Sequence, residues 1–505
     1  MNKKFRRLSK SHLIFFVIFA LLVFQSFALA NDKAQKINDL VSQYNKNGDF
    51  MGSVLVSENG KVIYKKAFGL ANIEWETPNT IDTKFRLASM TKQFTSMLVL
   101  QMVEKGRMKL DAKITDYIPE YPKPHGDIIT IHHLLSHTSG MPHYGGIPGF
   151  FPKLSRQPYT SEEYMKLFWD LDLLSETGSQ YSYSSFGYYL LGVILERVCG
   201  ETYAQLLHDR IFEPLGMNNS TLDDDKSIVK NRASGYRRNL TGFENTSFRD
   251  MSTAYATGGI LSTVEDLYLW DQALYTDKLL SKEYRDLLFK PNLGNYGYGW
   301  NIRKVPVGEE KETTLISHSG GISGFNSLIY RFVEDNHMIV MFKNIRNTVG
   351  LGQIMQKIGS ILYDQPYELP KESAARKVAL TSIESGVDAA VKEYHKLKNY
   401  HSDAYSFSEG DFNRIGYELL GMNKFDEAVT ILKLNVEAFP ASANTYDSLG
   451  EAYMLKGDTD SAIKNYKLAL GKIPTDPNLS ASGKEALKRG AEDKLSQLQA
   501  MAEKQ

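Results

Sequence analysis

The sequence predicts an α+β domain followed by an all-α domain built on a helical repeat. Two groups of strand-like runs, one near the start and one ending at Phe342, bracket a long stretch of helical periodicity. Beyond residue 386 the strand signals stop and a 34-residue period takes over. These shifts divide the chain into residues 1–30, a domain over 31–363, a linker over 364–385 and a helical domain over 386–505.

Residues 51–69 read as a hairpin, because Val54, Val56, Val62 and Ile63 flank the tight-turn pair Asn59-Gly60. Helical patterns follow at 91–105, 161–170, 186–199 and 203–212. Strand-like runs return at Thr313 to Ile316, Ser327 to Arg331 and Met338 to Phe342, and a helix over 351–363 closes the block. The sheet is then complete only when the late strands join the early hairpin. Pro366, Pro370 and many polar residues make 364–385 a linker. After it, Phe412, Gly416, Leu419, Ala428, Leu432 and Pro440 recur 34 residues later as Tyr446, Gly450, Tyr453, Ala462, Tyr466 and Pro474. Small residues at the helix crossing and proline at the end are the tetratricopeptide signature. Helices near Val387–Lys398 and Lys484–Leu498 would cap the two units. Such an array is either a groove for a protein or peptide partner or a helical appendage of the first domain.

Hydrophobic residues make up 42% of the chain, enough to bury sizeable cores in both domains. Lys3, Lys4, Arg6, Arg7 and Lys10, then the apolar run Leu13 to Phe24, then Ala28-Leu29-Ala30 read as a cleaved secretory signal peptide. The apolar run is too short to span a bilayer, so no stable membrane span is expected after cleavage. Basic and acidic residues number 59 each, and cleavage removes five basic ones, leaving about −5, a balance that gives no reason to expect nucleic acid. A soluble exported product without a lipid-anchor cysteine favours the periplasm over the medium. Cys199 is the single cysteine, lies in an apolar helix pattern and reads as a buried small hydrophobe.

The chemistry concentrates at Ser89-Met90-Thr91-Lys92. A serine hydroxyl needs a base to attack, and one helical turn brings i and i+3 together, so the Lys92 amine stands beside Ser89. Burial and cationic neighbours lower a lysine pKa and let the amine accept a proton. The S-x-x-K pattern also occurs at Ser227 and Ser461, so company decides which is meaningful. Only Ser89 has it. Tyr183, in Tyr181–Gly192, is a candidate partner whose phenol adjacent cations would acidify. His318-Ser319-Gly320-Gly321 follows a strand, and a Gly-rich edge offers backbone donors to a tetrahedral oxyanion, here the Ser89 and Gly321 amides. His318 is a candidate to hydrogen-bond, or present positive charge to, a substrate carboxylate. No G-x-S-x-G, H-E-x-x-H, phosphate loop or dinucleotide fingerprint occurs. His133 and His137 are spaced for one metal but sit where a helix-end role is the better reading.

Together, Phe85–Lys92, Leu134–Gly140, Tyr181–Gly192, Ile211–Met217, Gly258–Thr263, Tyr296–Trp300 and His318–Phe325 resemble the serine β-lactamase and penicillin-binding-protein-like hydrolases. The similarity covers roughly residues 35–362. It is greatest to the branch with class C β-lactamases, D-alanyl-D-alanine carboxypeptidases and β-lactamase-fold esterases. The resemblance implies a central antiparallel sheet with flanking helices and a helical subdomain. It also implies that Ser89 is the acylated nucleophile, Lys92 its proton partner, Tyr183 the general base, and His318-Ser319-Gly320 the third motif. Two departures stand out. Tyr183-Ser184-Ser185 replaces the family's Tyr-x-Asn, so Ser185 offers a hydroxyl where an amide would recognise amide substrates. His-Ser-Gly replaces the Lys-Thr-Gly of efficient class C enzymes. The expectation is a secreted serine hydrolase, without metal or cofactor, acting on D-amino-acid peptides, β-lactams or esters. The alternative is a low-turnover peptidoglycan- or peptide-binding protein that docks partners through its repeats.

Overall fold

A computed structural model describes residues 32–309 and 311–502. The signal-peptide reading of 1–30 lies outside the described residues. The chain forms two compact units. One runs to Arg237 and resumes over Glu244–Leu369; the other combines Arg238–Phe243 with the chain from Pro370 onward.

The first unit is built on a six-stranded sheet. Its strands are β1 (Gly52–Glu58), β2 (Lys61–Phe68), β3 (Asn301–Pro306), β4 (Glu312–Ile322), β5 (Phe325–Phe332) and β6 (His337–Lys343). The order is β3-β4-β5-β6-β1-β2, antiparallel throughout. The late strands do join the early hairpin: β6 lies against β1, with Val54 opposite Met341 and Val56 opposite Ile339. The hairpin turn carries Asn59 at φ 51° and Gly60 at φ 72°, the left-handed pair that a two-residue turn needs. β3 was not foreseen, because Arg303 and Lys304 make it a mostly exposed edge strand without an apolar run.

β1 and β6 are buried on both faces because layers cover both. On one side, α1 (residues 32–46) and α5 (Leu351–Leu362) bring Leu40, Val41, Ile354 and Ile358 against Val54 and Met341. On the other side lie α2 (Thr91–Glu104), α3 (Ser185–Cys199) and α4 (Val264–Ala273). Burial runs from Thr91 through Met102, so α2 is a central helix whose polar residues must find partners inside. Thr95 donates to the Ala256 carbonyl at 2.6 Å, and Gln93 accepts from the Trp270 indole at 3.0 Å. The Asp271 carboxylate pairs with Arg331 of β5 in the same interior, where Tyr275, Phe289 and Trp300 surround the guanidinium. The helix expected over 203–212 is α-helical only at Tyr203–Leu207 and widens to a π-helical turn at His208–Phe212, just before Pro214. The one expected over 161–170 stops at Lys166.

The second unit is helical: α6 (Ala374–Ser385), α7 (Val387–Tyr400), α8 (Glu409–Gly421), α9 (Phe425–Ala438), α10 (Ala443–Lys456), α11 (Thr459–Lys472) and α12 (Ala481–Ala502). The linker expected over 364–385 is therefore mostly a helix. Ala374, Ala375, Val378, Ala379 and Ser382 form one buried face, whose small side chains give a weak hydrophobic signal in sequence. The 34-residue correspondence has a physical counterpart. A Cβ on Gly416 would meet the Leu432 side chain at 2.6 Å, and one on Gly450 would meet Tyr466 at 3.1 Å. Both glycines let the second helix of a pair approach the first. Among the described residues no helix is long and apolar enough to cross a membrane.

Candidate active site

Ser89 sits in a tight turn, Ala88–Met90, that feeds α2. Ala88 is held at φ 49°, a left-handed value that an alanine adopts only under constraint. The constraint is visible. The Leu87 amide donates to the Ile260 carbonyl at 2.8 Å, and the Leu87 carbonyl accepts from the Ser327 hydroxyl at 2.6 Å. β3 pairs with β4 only as far as Ser317, so the edge from His318 onward is free to lie against this turn. Contact is close enough that a Cβ on Gly320 would stand 2.1 Å from the Leu87 carbonyl oxygen, which explains glycine there. Ser319 and Gly321 alternate to the exposed side, while His318 and Gly320 are buried.

Lys92, one turn on, is fully buried. Its Nζ lies 3.3 Å from Ser89 Oγ, 2.9 Å from the Thr257 carbonyl and 2.7 Å from Thr257 Oγ1. No carboxylate pairs with it among the described residues. Burial first, then the positive charge of Arg249, holds its pKa well below the usual lysine value. The site therefore favours a neutral amine. With two N–H bonds on Thr257, its lone pair is left for the Ser89 hydroxyl.

Tyr183 stands beside Ser89, and its ring lies 5.0 Å from Lys92 Nζ. The segment is anchored through His137: the Ser182 amide donates to the His137 carbonyl at 2.8 Å and the Ser184 amide to His137 Nδ1 at 3.2 Å. The expectation that cations acidify this phenol is corrected. Burial outweighs every other influence and raises its pKa well above the usual value, so it rests as a neutral hydroxyl. His137, buried at φ 57° just beyond the helix Ile131–Leu135, is a helix-end and anchoring residue.

His318 also departs from expectation. Its Nδ1–H donates to the Ser319 carbonyl at 2.7 Å, and Nε2 accepts from the Tyr296 hydroxyl at 2.9 Å. Both nitrogens are thus occupied, and burial pushes its pKa down to about 3. It presents no positive charge to a substrate. Ser185 lies 3.4 Å from His143 Nε2, so a histidine stands against the short residue of the second motif.

The cleft at Ser89 is lined by Ser185, Thr257 and Gly321, and also by Tyr144 and Arg249. Thr257, His143, Tyr144 and Arg249 were missed in sequence. Thr257 directly precedes Gly258-Gly259 and was within reach of that signal; the other three lie in loops without periodicity. Among the described residues one group could gather a metal ion, the exposed His208, Asp209 and Glu213, and it contains none of the cleft's residues.

Residues 37–355 match the family described as Beta-lactamase. The chain belongs to the beta-lactamase family. Among its relatives, a penicillin-binding protein of Bacillus subtilis (strain 168) is 29% identical over 371 residues, covering 69% of this chain and 80% of the relative. The solved penicillin-binding protein of Bacillus halodurans is 25% identical, with a TM-score of 0.56 over 64% of this chain and 99% of that one. The D-amino acid amidase of Ochrobactrum anthropi SV3 shares the fold at a TM-score of 0.56 and 24% identity, over 66% and 99% of the two chains. This beta-lactamase-family unit is thus of a serine hydrolase and penicillin-binding-protein lineage.

Proposed function

We propose that the protein is a serine hydrolase that forms an acyl-enzyme at Ser89. The arrangement of Lys92 carries the reading: a buried amine without a carboxylate partner among the described residues, its N–H groups on Thr257 and its third contact on Ser89 Oγ. The neutral amine takes the Ser89 proton as Oγ bonds to the acyl carbon. The Ser89 and Gly321 amides receive the oxyanion. As the bond to the leaving group breaks, the proton passes from Lys92, through the Tyr183 hydroxyl, to the departing atom. Water then attacks the ester, gives its proton to Lys92, and Ser89 leaves as the hydroxyl. Tyr183 acts here as a proton relay rather than as a resident phenolate.

Substrates of this site are esters, β-lactams or D-amino-acid peptides, the last two suggested by the names of the penicillin-binding and amidase relatives. Ser185 tilts the balance towards esters, since it lacks the amide group that would recognise a peptide-like bond. The helical unit is read as tetratricopeptide-type and as the docking platform for a protein or peptide partner, in an exported protein of the periplasm.

Intact mass after exposure to a fluorescent penicillin and, separately, to a fluorophosphonate tests the reading, with Ser89→Ala beside wild type. A Ser89-dependent adduct is the expected result. A folded wild-type protein that takes neither label overturns it in favour of a binding protein.

A further inference from the structure

Arg249 is 7% exposed and lines the Ser89 cleft, yet no carboxylate pairs with it among the described residues. Its sequence neighbour does not serve: Asp250 Oδ1 instead accepts from the Ser252 amide at 3.0 Å. Nε donates to Thr253 Oγ1 at 3.1 Å and Nη2 to the Thr253 carbonyl at 3.2 Å, which fixes the plane of the group. The Tyr144 ring lies 4.8 Å from Cζ and the Phe150 ring 5.7 Å. The contacts orient a positive charge without neutralising it, and Nη1 has no partner among the described residues. A buried, unpaired charge is costly, and rings offset only part of that cost. The other charges that could serve the cleft do not: Lys92 rests neutral, and His318 has both nitrogens engaged.

We propose that Arg249 is the anion-recognising residue of the cleft, and that the natural acyl donor carries a carboxylate which the guanidinium binds while Ser89 attacks. This rests on the serine-hydrolase reading and narrows its substrate class. One rival cation needs a control. Arg346 is exposed, and its Nη2 lies 4.0 Å from where a Cβ on Gly321 would stand.

The test compares matched esters: mono-4-nitrophenyl glutarate against 4-nitrophenyl valerate, and 3-acetoxybenzoate against phenyl acetate. The first pair puts the carboxylate on the acyl side, the second on the leaving side. In wild type, kcat/KM for the anionic member of at least one pair exceeds its neutral mate by about tenfold or more, the scale of one charged hydrogen bond. Arg249→Gln collapses that ratio to near one, mainly through KM, whereas Arg249→Lys and Arg346→Gln retain most of it. Equal losses on both members of a pair overturn the proposal, since Arg249 would then act through Lys92 or the fold. Collapse of the ratio in Arg346→Gln alone overturns it as well. Calorimetric titration of glutarate into Ser89→Ala needs no turnover: binding that Arg249→Gln abolishes in that background supports the proposal, and absence of binding, with no ester preference, overturns it. Failure of the parent reading looks different: wild type takes no fluorophosphonate and cleaves none of the four esters.

Discussion

Among the described residues of the first unit two guanidinium groups are buried against aromatic rings, and only one of them has a carboxylate. Arg331 lies under Tyr275, Phe289 and Trp300 and is paired with Asp271. Arg249 lies against Tyr144 and Phe150 and has threonine alone. Burial and ring contact are shared, so they do not distinguish a structural cation from a functional one. The missing counter-charge does. Lys92 also lacks a counter-charge in the same cleft, and the positive charge of Arg249 helps burial to hold its amine neutral. A structural pair is complete by itself; the Ser89 cleft is completed by what it binds.

The largest expected effect is at Lys92. Lys92→Met should slow acylation of Ser89 by about 10³-fold or more, measured as fluorophosphonate labelling rate, because general-base assistance of that size is removed. Stability should move the other way. The folded pKa lies below the unfolded one, so between those values the unfolded chain binds the extra proton and stability rises with pH. At neutral pH the lysine is therefore a liability. Methionine, of similar volume, should raise the urea midpoint. A fall in both labelling and stability would make Lys92 a structural residue and erase its contrast with Arg331.

Next comes the paired cation. Asp271→Ala strands a guanidinium with no charge partner and should lower stability by about 3–5 kcal/mol. Arg249→Gln, which removes an already unpaired charge, should change it by no more than about 1 kcal/mol. Urea unfolding of the two variants sets them side by side. Equal losses would mean that Arg249 has a counter-charge in solution, and the comparison would collapse.

Acid reports the same economy of neutral buried groups. His318 titrates at about 3 when folded against 6.5 in the unfolded chain. Between those values the unfolded state holds more protons, so stability is full above 6.5 and falls as pH drops through the window. From pH 7 to 5 this one residue should remove about 2 kcal/mol, and His318→Gln should flatten the acid limb by that amount. A slope unchanged in the variant would assign acid sensitivity to the other histidines that burial keeps neutral, His137 and His143 first among them.

What could be foreseen from sequence follows from how signals are written. Alternation and the Asn59-Gly60 turn disclosed β1 and β2, and the late apolar runs disclosed the strands that complete the sheet. Ser89, Lys92, Tyr183 and the His318–Gly321 edge were legible because they sit in dense local motifs. Their protonation was not, because burial is a tertiary property: Tyr183, expected to be acidified by adjacent cations, and His318, a candidate to hydrogen-bond or carry positive charge, both rest neutral. Arg249 was illegible for the same reason. It lies in no motif, and only the fold shows its guanidinium in the cleft while Asp250 turns to cap Ser252. The helix Ala374–Ser385 was hidden by its alanines, which bury well and signal poorly.

The smallest effect tests how tightly the neutral amine must be held. Thr257 gives Lys92 two of its three contacts, one through the backbone and one through the hydroxyl. Thr257→Val keeps the shape and the carbonyl and removes the hydroxyl. One hydrogen bond of about 1 kcal/mol is lost, so labelling should slow by roughly five- to tenfold, with stability little changed. The direction of the pH profile separates two accounts of that loss. If Thr257 only aims the lone pair at Ser89, the rate falls at every pH alike and the inflection stays in place. If its hydroxyl also accepts from the ammonium, losing it disfavours the charged form, and the inflection moves to lower pH. The first outcome keeps burial and Arg249 as the source of the low lysine pKa, and with them the link between the guanidinium and the neutral amine of the cleft.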